Sequence, residues 1–439
     1  MQDRIRTILS LGLPIIGTMF SQSLINLVDT LLVGQLGESA LAAVGAGNYA
    51  IFVSFGLISG LSAAIQAQVA RRRGEGAGNP LEPVCGGFLI ALLFALPLCI
   101  LLSLEAGNIM PIFQADQAVT EAAALYFAIR ILSLPAAVLN LSYRGFWNGI
   151  RESGAFFRLL LFTHLCNAII SYILIYGLLG FPSMGVAGAA TGTLIAMYLG
   201  ALLNHYFIRQ RALQGGLRFK LPSRQGFVRL VRLAIPDSAQ QTCFALGMSL
   251  MFWLIARLGS EAMAVAHVLI NISLVLILPG IGLGMASTTL VSHALGAGKQ
   301  QEAWRWGLDV SLLACGILTL LSVPVLIVPE WFLGPFLGSD ETLVKLAVFP
   351  LQLAGLSIII ESFALVLTQS LLGAGANKTV LAIRFSTLWL FMLPGIWLVT
   401  HDGTASLTAV WSVLLLQKLL LSTALLTVWQ RRRWGQITI

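Results

Sequence analysis

Charged residues are scarce in this sequence. Only 10% of its 439 residues are Asp, Glu, Lys or Arg, and 57% are hydrophobic. A soluble domain usually carries about 25% charged residues. A soluble fold keeps enough polar surface to meet water, so this scarcity excludes an ordinary water-soluble protein. The remaining solvent for so much apolar side chain is a lipid bilayer.

Cysteine is also sparse, and its placement excludes two kinds of site. The five cysteines lie inside apolar runs, without the paired spacing that indicates a disulfide framework or a metal site. They are Cys85, Cys99, Cys166, Cys243 and Cys315. The sequence also lacks the Gly-rich, Lys-ending loop of nucleotide-binding proteins and the His/Glu helix motifs of metalloenzymes. We therefore expect no enzyme, no direct use of ATP, no metal site and no cofactor.

The sequence contains many long apolar runs. A helix needs about 20 apolar residues to cross the hydrocarbon core of a bilayer, and runs of that length recur along the chain. They predict an all-α membrane protein with twelve transmembrane helices. The predicted limits are 8–33, 43–70, 84–104, 119–148, 156–179, 185–208, 227–256, 264–294, 306–328, 343–374, 379–400 and 405–429. The first run is too long for a signal-peptide core, so we expect it to remain as a helix.

Basic residues alternate from one loop to the next, which predicts the orientation. Lys and Arg gather in every second loop, for example at 71–73 and 209–232, while the intervening loops carry acids such as Glu105 and Glu261. Because cytoplasmic loops keep positive charge, both termini are predicted to be cytoplasmic in a bacterial inner membrane. The net charge of +8 does not indicate nucleic-acid binding, because it is spread over many loops.

The first half of the sequence repeats in the second half at a constant offset. Residues 14–76 align with 236–298 without a gap, so that Pro14 matches Pro236. Parallel repeats of this kind enclose a central cavity in transporters with alternating access, although duplication also occurs in scaffolds and channels.

This repeat predicts the organisation of the chain into two pseudo-symmetric lobes of six helices each. The predicted divisions are an N-lobe at 1–208, a cytoplasmic interlobe linker at 209–226 and a C-lobe at 227–439. The cation or proton site is expected in the N-lobe.

A carboxylate lies deep inside the first predicted helix. Asp29 is about six turns into it, where an ionised side chain costs several kcal/mol unless it is protonated, paired or hydrated. Gln22, Asn26 and Asp29 share one helical face. Pro14 interrupts the hydrogen-bond ladder and permits a helix bend. We expect this face to line a cavity where Asp29 binds a proton or cation; the alternative is a static structural hydrogen bond.

Polar residues of other helices in the first half complete the predicted site. Asn140, Asn167, Ser171 and Thr193 supply matching polar groups, so we expect them at the same proton or cation site as Asp29. Asn167 and Ser171 are one turn apart and share a face. Tyr143 is assigned to the substrate cavity with Gln22 and Asn26.

The second half differs chemically at the position that matches Asp29. Met251 stands there, in a segment rich in Met and aromatic residues that suits either adaptable substrate contacts or packing against lipid. Glu361 is the one acid deep in this half. We assign both residues to the substrate cavity, with Glu361 as a candidate second titrating acid. Alternatively, Arg384 or Lys418 could hold Glu361 as a structural ion pair.

Motifs in the first half follow a known pattern. The first helix carries Leu13-Pro14 and Val28-Asp29-Thr30, the fourth carries Pro135-Ala136 with Asn140, and the sixth begins Gly185-Val186-Ala187-Gly188. These motifs resemble the MATE family of multidrug and toxic-compound extrusion transporters, in particular its DinF-type branch. The resemblance implies that Asp29 is the proton-responsive acid and that Asn140, Asn167 and Thr193 surround it.

Two positions depart from the family pattern. Ser171 stands where some archaeal members have a second acid in the fifth helix, which leaves Asp29 as the sole acid of its lobe. Cys243-Phe244 stands where NorM-type members have a Glu in the seventh helix, which argues against that branch.

These observations predict a multidrug exporter that exchanges protons for amphipathic, often cationic, organic compounds. Sodium coupling within the same family is an alternative. A lipid-linked saccharide flippase of the wider superfamily is a rival, although it would be expected to have basic residues in its cavity; a passive channel is more distant. The expected partners are small drugs or toxic compounds and membrane lipid, without nucleic acid, and the chain is expected to be a monomer.

Overall fold

The computed structural model describes residues 2–76, 78–113, 116–338, 341–401 and 406–437. Within these ranges the regular structure is helical and no strand is found. Eleven helices are long and apolar enough to cross a membrane, and a bent helix pair brings the number to twelve. An all-α membrane protein with twelve spans is therefore confirmed for the described part of the chain.

The spans are numbered α1 to α12 in chain order. They are α1 Gln2–Gly34, α2 Glu38–Glu75, α3 Glu82–Leu104, α4 Gln117–Ile131 with Leu134–Gly149, α5 Ser153–Tyr176, α6 Gly185–Gln214, α7 Arg224–Leu258, α8 Ser260–Gly296, α9 Gln300–Ile327, α10 Glu341–Ala374, α11 Asn377–Thr400 and α12 Leu407–Gln430. The two parts of α4 meet at a bend of 48°. Short helices Ala106–Ile109 and Pro329–Leu337 follow α3 and α9.

Two spans change their helical winding ahead of a proline. Ala91–Ala95 in α3 and Ser386–Met392 in α11 are π-helical. Pro97 and Pro394 follow these stretches and lack the N–H that would bond the carbonyl four residues earlier. In both helices that carbonyl lies inside the π-helical stretch, so the wider turn accommodates the missing bond.

The chain forms two compact units, residues 17–238 and residues 1–16 with 239–439. The divisions fall inside α1 and α7. The predicted linker 209–226 is helical at both ends, because α6 continues to Gln214 and α7 begins at Arg224. The lobes 1–208 and 227–439 therefore stay a prediction, and the units of the structure divide elsewhere.

Matching glycines explain where the units divide. In unit 17–238, the Gly60 N–H donates to Ser238 Oγ at 3.1 Å, and a Cβ on Gly60 would lie 2.3 Å from the Ala234 carbonyl oxygen. In the other unit, a Cβ on Gly282 would lie 3.1 Å from the Ile16 nitrogen. Each glycine thus lets a backbone segment approach closely, and the two glycines are matching positions of the sequence repeat. The beginnings of α1 and α7 are consequently exchanged between the two halves.

The beginning of α1 is also held by charge. Arg4 forms an ion pair with Asp309 of α9 at 2.6 Å, and its guanidinium lies 3.9 Å from the ring centre of Trp306. This contact belongs to unit 1–16 with 239–439. It places the amino-terminal segment with the helices of the second half.

Candidate functional site

Asp29 of α1 meets α5 within unit 17–238. The side-chain amide of Asn167 donates to both carboxylate oxygens of Asp29, at 3.3 and 3.4 Å. One turn later the Ser171 hydroxyl donates to the amide oxygen of Asn167 at 3.2 Å. Asn167 and Ser171 are buried and Asp29 is half-buried. The structure therefore brings three of the predicted coupling residues into one hydrogen-bonded row.

Two further hydrogen bonds fasten α1 to α5 on either side of this row. Ser21 Oγ lies 2.7 Å from His164 Nδ1, and the Tyr176 hydroxyl donates to the Leu32 carbonyl at 2.8 Å. Because α5 is held before and after Asp29, the carboxylate is fixed opposite Asn167. His164 is thus a hydrogen-bond partner of α1.

Glycines of α6 allow Ser171 to reach this position. A Cβ on Gly192 would lie 2.4 Å from Ser171 Oγ, and a Cβ on Gly188 would lie 2.7 Å from the Leu174 carbonyl oxygen. These two glycines let α5 and α6 approach at backbone distance. The small-residue segment at the beginning of α6 therefore supports the site through packing.

Asn140 and Thr193 make their described hydrogen bonds to backbone carbonyls of α6. The Asn140 amide donates to the Met197 carbonyl at 2.9 Å, and the Thr193 hydroxyl donates to the Ala189 carbonyl at 3.0 Å. Both side chains are half-buried. Their assignment to coupling stays a prediction, because these bonds stabilise α6 and its contact with α4.

Arg130 of α4 lies near the site, although no motif in the sequence predicts it there. Its guanidinium interacts electrostatically with Asp29 and lies 5.6 Å from the ring centre of Phe55. The sequence feature that points to Arg130 is a single Arg near the end of an apolar helix. Arg130 supplies positive charge near Asp29 without a direct ion pair.

The predicted cavity residues of the first half lie in two environments. Gln22 and Asn26 are exposed on α1, and the Gln22 amide donates to Asn26 Oδ1 at 3.1 Å. They present polar groups on the turns that lead to Asp29. Tyr143 is buried, and its hydroxyl lies 3.3 Å from His205 Nδ1. Helix α1 continues through Pro14 without a break.

A cavity of about 410 Å³ lies at the basic end of unit 17–238, next to Tyr143 through His205. It is lined by Cys85, Phe88, His205, Arg209, Phe219 and Leu221. The lining contains no predicted site residue, so this cavity is not the Asp29 site. In the described ranges, no three side chains among His, Cys, Asp and Glu are grouped to hold a metal ion.

Met251 of α7 is fully buried in an apolar core. Its cluster includes residues of α7, α8, α10 and α11, among them Leu254, Leu269, Leu351 and Met392. Sequence reasoning expected Met251 to line the substrate cavity. The structure places it inside the packing of the unit instead.

Glu361 of α10 forms an ion pair with Lys418 of α12. The Lys418 ammonium lies 2.5 Å from Glu361 Oε1, and the two side chains are 23% and 10% exposed. One turn after Lys418, the Ser422 hydroxyl donates to the Ile360 carbonyl at 2.8 Å, which fixes α12 against α10. Of the two cations that the sequence offered, Lys418 is the one shown in contact with Glu361.

Known sequences match this chain over most of its length. The sequence model of the MatE family matches residues 14–173 and 236–398. The matches begin at the two prolines that begin the internal repeat. The probable multidrug resistance protein NorM of Agrobacterium fabrum is 26% identical over 87% of this chain and 84% of its own length. The multidrug resistance protein NorM of Burkholderia vietnamiensis is 26% identical over 96% of this chain and 92% of its own.

Solved structures share the fold. A multidrug resistance MATE family transporter of the MOP superfamily, in an outward-facing conformation, superposes with a TM-score of 0.89 at 20% identity. It covers 99% of this chain and 97% of its own. A MOP superfamily transporter from Pyrococcus furiosus superposes with a TM-score of 0.88 at 19% identity, with the same coverage. At such identities the likeness supports the fold alone.

Proposed function

The chain belongs to the MatE family, and on that premise we propose that it is a secondary exporter that exchanges protons for amphipathic, often cationic, organic compounds. The family consists of transporters, so the chain is not an enzyme. The relatives named above carry the name NorM, and the DinF-type branch therefore stays a prediction.

One observation carries the proposal: Asp29 is a half-buried carboxylate held by a neutral donor. The Asn167 amide contacts both oxygens of Asp29, while Ser171 holds the amide. A carboxylate whose partners are neutral can bind a proton without leaving another charge unbalanced. A carboxylate in a direct ion pair cannot, because its partner would keep its charge. Gln22 and Asn26 place further polar groups on the turns of α1 before Asp29.

The same geometry favours a proton over a sodium ion. A sodium site gathers several oxygen ligands, but the Asn167 amide turns its NH₂ group toward Asp29 and its oxygen toward Ser171. The serine also removes the negative charge that a second acid would supply at that position. Asp29 therefore offers a binding site for a proton with few additional oxygens.

We place the basic ends of the helices in the cytoplasm of a bacterial cell, so that export moves substrate away from them. Arg71, Arg72, Arg209 and Arg211 lie near the ends of α2 and α6, on the side that cytoplasmic loops occupy. A proton entering from outside would neutralise Asp29 while substrate leaves, and release of the proton inside would reset the site. Small amphipathic drugs are the proposed substrates and membrane lipid is the surrounding solvent.

The test is transport in proteoliposomes with the two ion gradients imposed separately. Ethidium is the probe, and its efflux is followed by fluorescence with a pH gradient at zero sodium, then with a sodium gradient at constant pH. We expect efflux with the pH gradient alone. Efflux that requires sodium at constant pH would replace the proton by sodium, and no efflux of any amphipathic cation under either gradient would contradict an exporter of such compounds.

A further inference from the structure

The Glu361–Lys418 pair lies in the middle of its helices, far from the helix ends where charges reach water easily. Glu361 is 20 residues after the start of α10, which has 34 residues, and Lys418 is 11 residues after the start of the 24-residue α12. Their partial burial means that neither charge is fully hydrated. Each charge at this depth is costly unless its partner remains in place.

The ammonium group of Lys418 occupies the place beside Glu361 that an inorganic cation or a proton would otherwise take. This ammonium group is compact and is covalently attached to the chain, so it cannot diffuse away. It lies at hydrogen-bond distance from one carboxylate oxygen of Glu361. The pair has no net charge. A proton that joins Glu361 would neutralise the carboxylate, and this would leave the Lys418 cation without a countercharge within the membrane.

We infer that Lys418 is a built-in counter-cation for Glu361, so that this second deep acid exchanges neither protons nor inorganic cations during transport. The inference rests on the proposed function and deepens it. Of the two acids Asp29 and Glu361, Asp29 is then the one that couples transport. This replaces the expectation that Glu361 titrates as a second acid.

The charge balance of transport follows from this assignment. One proton entering as one monovalent cation leaves moves no net charge across the membrane. The membrane potential then contributes nothing to the exchange. A second proton on Glu361 would add one charge, and about 100 mV would then change the limiting concentration ratio about fortyfold, at about 2.3 kcal/mol per charge.

The first experiment does not depend on transport. Dicyclohexylcarbodiimide adds to protonated carboxyl groups in apolar surroundings, and mass spectrometry locates the adduct. We expect little adduct on the Glu361 peptide of the parent and about tenfold more in Lys418→Met, which corresponds to a change of about 1.4 kcal/mol in the protonation equilibrium. Lys345→Met is the matched control, because Lys345 pairs with Glu341 at an exposed position of the same unit; it should label like the parent.

The second experiment measures ethidium export in proteoliposomes at zero pH gradient with potentials set by potassium and valinomycin. The parent and Glu361→Gln/Lys418→Met, in which both charges are removed, should not respond to the potential. Lys418→Met should acquire a response. The parent measurement alone tests the inference if Lys418→Met does not fold.

Two results would overturn the inference: strong labelling of Glu361 in the parent, or parent export of ethidium that follows the imposed potential. Equal labelling of Glu361 in the folded Lys418→Met variant and the parent would also overturn it. If the parent does not transport ethidium at all, the proposed function fails, while the labelling result still decides the role of Lys418.

Discussion

Asp29 and Glu361, which both lie inside spanning helices, are held in opposite ways. Asp29 accepts hydrogen bonds from the neutral amide of Asn167, whereas Glu361 contacts the ammonium group of Lys418. A neutral donor leaves the carboxylate free to gain a proton without stranding another charge. An ammonium does not, because protonation of the acid leaves a buried cation. Two carboxylates inside spanning helices can therefore serve different purposes.

The comparison also shows how a duplicated chain specialises. The position that matches Asp29 is Met251, which is packed in an apolar core, and the acid of the second half lies on another helix. The repeat keeps the backbone contacts of Gly60 and Gly282, while the polar chemistry differs between the halves. Backbone packing is thus retained where side-chain function has diverged.

The largest expected effect is on Asp29. Asp29→Asn removes the group that binds the proton, so pH-driven ethidium efflux should fall to the level of empty vesicles. Glu341→Gln is the control, since Glu341 is an exposed acid of α10, and it should transport like the parent. Parent-level efflux by Asp29→Asn at equal protein content would remove Asp29 from the mechanism.

The next effect is on stability. Lys418→Met leaves Glu361 without its ammonium, and the free energy of unfolding should fall by about 3 kcal/mol, as expected when one partner of a buried pair is removed. Glu361→Gln/Lys418→Met should recover most of the loss, because no charge remains unpaired. Thermal unfolding in detergent measures both. Equal stability of Lys418→Met and the double variant would show that the pair is not the source of the loss.

A smaller effect is expected on the packing beneath Asn167. Gly192→Val would force Ser171 out of its place, because even a Cβ would lie 2.4 Å from Ser171 Oγ. We expect export to fall about tenfold, the equivalent of about 1.4 kcal/mol. Gly45→Val is the matched control, since a Cβ on Gly45 of α2 meets nothing within 4 Å. Equal activity of the two variants would show that the contact between Gly192 and Ser171 is not needed.

The smallest effect concerns the pH profile. Asn167→Ala removes a donor to the ionised carboxylate, so the pH of half-maximal export should rise by about one to two units, since a hydrogen bond to a charged group contributes about 1.5–3 kcal/mol. Thr193→Ala should shift the profile less, because its hydroxyl bonds the Ala189 carbonyl. Efflux rates across a pH series measure both shifts. A larger shift in Thr193→Ala than in Asn167→Ala would contradict the direct role of Asn167.

The sequence by itself determined the twelve spans, the internal repeat and the position of Asp29 inside a spanning helix. Each depends on a local property: the length of an apolar run, a constant offset between prolines and glycines, or the cost of a charge inside a helix. Asn167 and Ser171 were found for the same reason, because two polar residues one turn apart share a face whatever surrounds them.

Only the tertiary structure decided which groups meet. The exchange of the α1 and α7 beginnings depends on glycine contacts between residues far apart in the chain, such as Gly60 and Ala234. The choice of Lys418 as the partner of Glu361 depends on how α12 packs on α10. The burial of Met251 depends on how several helices of its unit pack together. A sequence pattern specifies the face of one helix, but the partner of a buried charge is fixed by packing between helices, which no local spacing encodes.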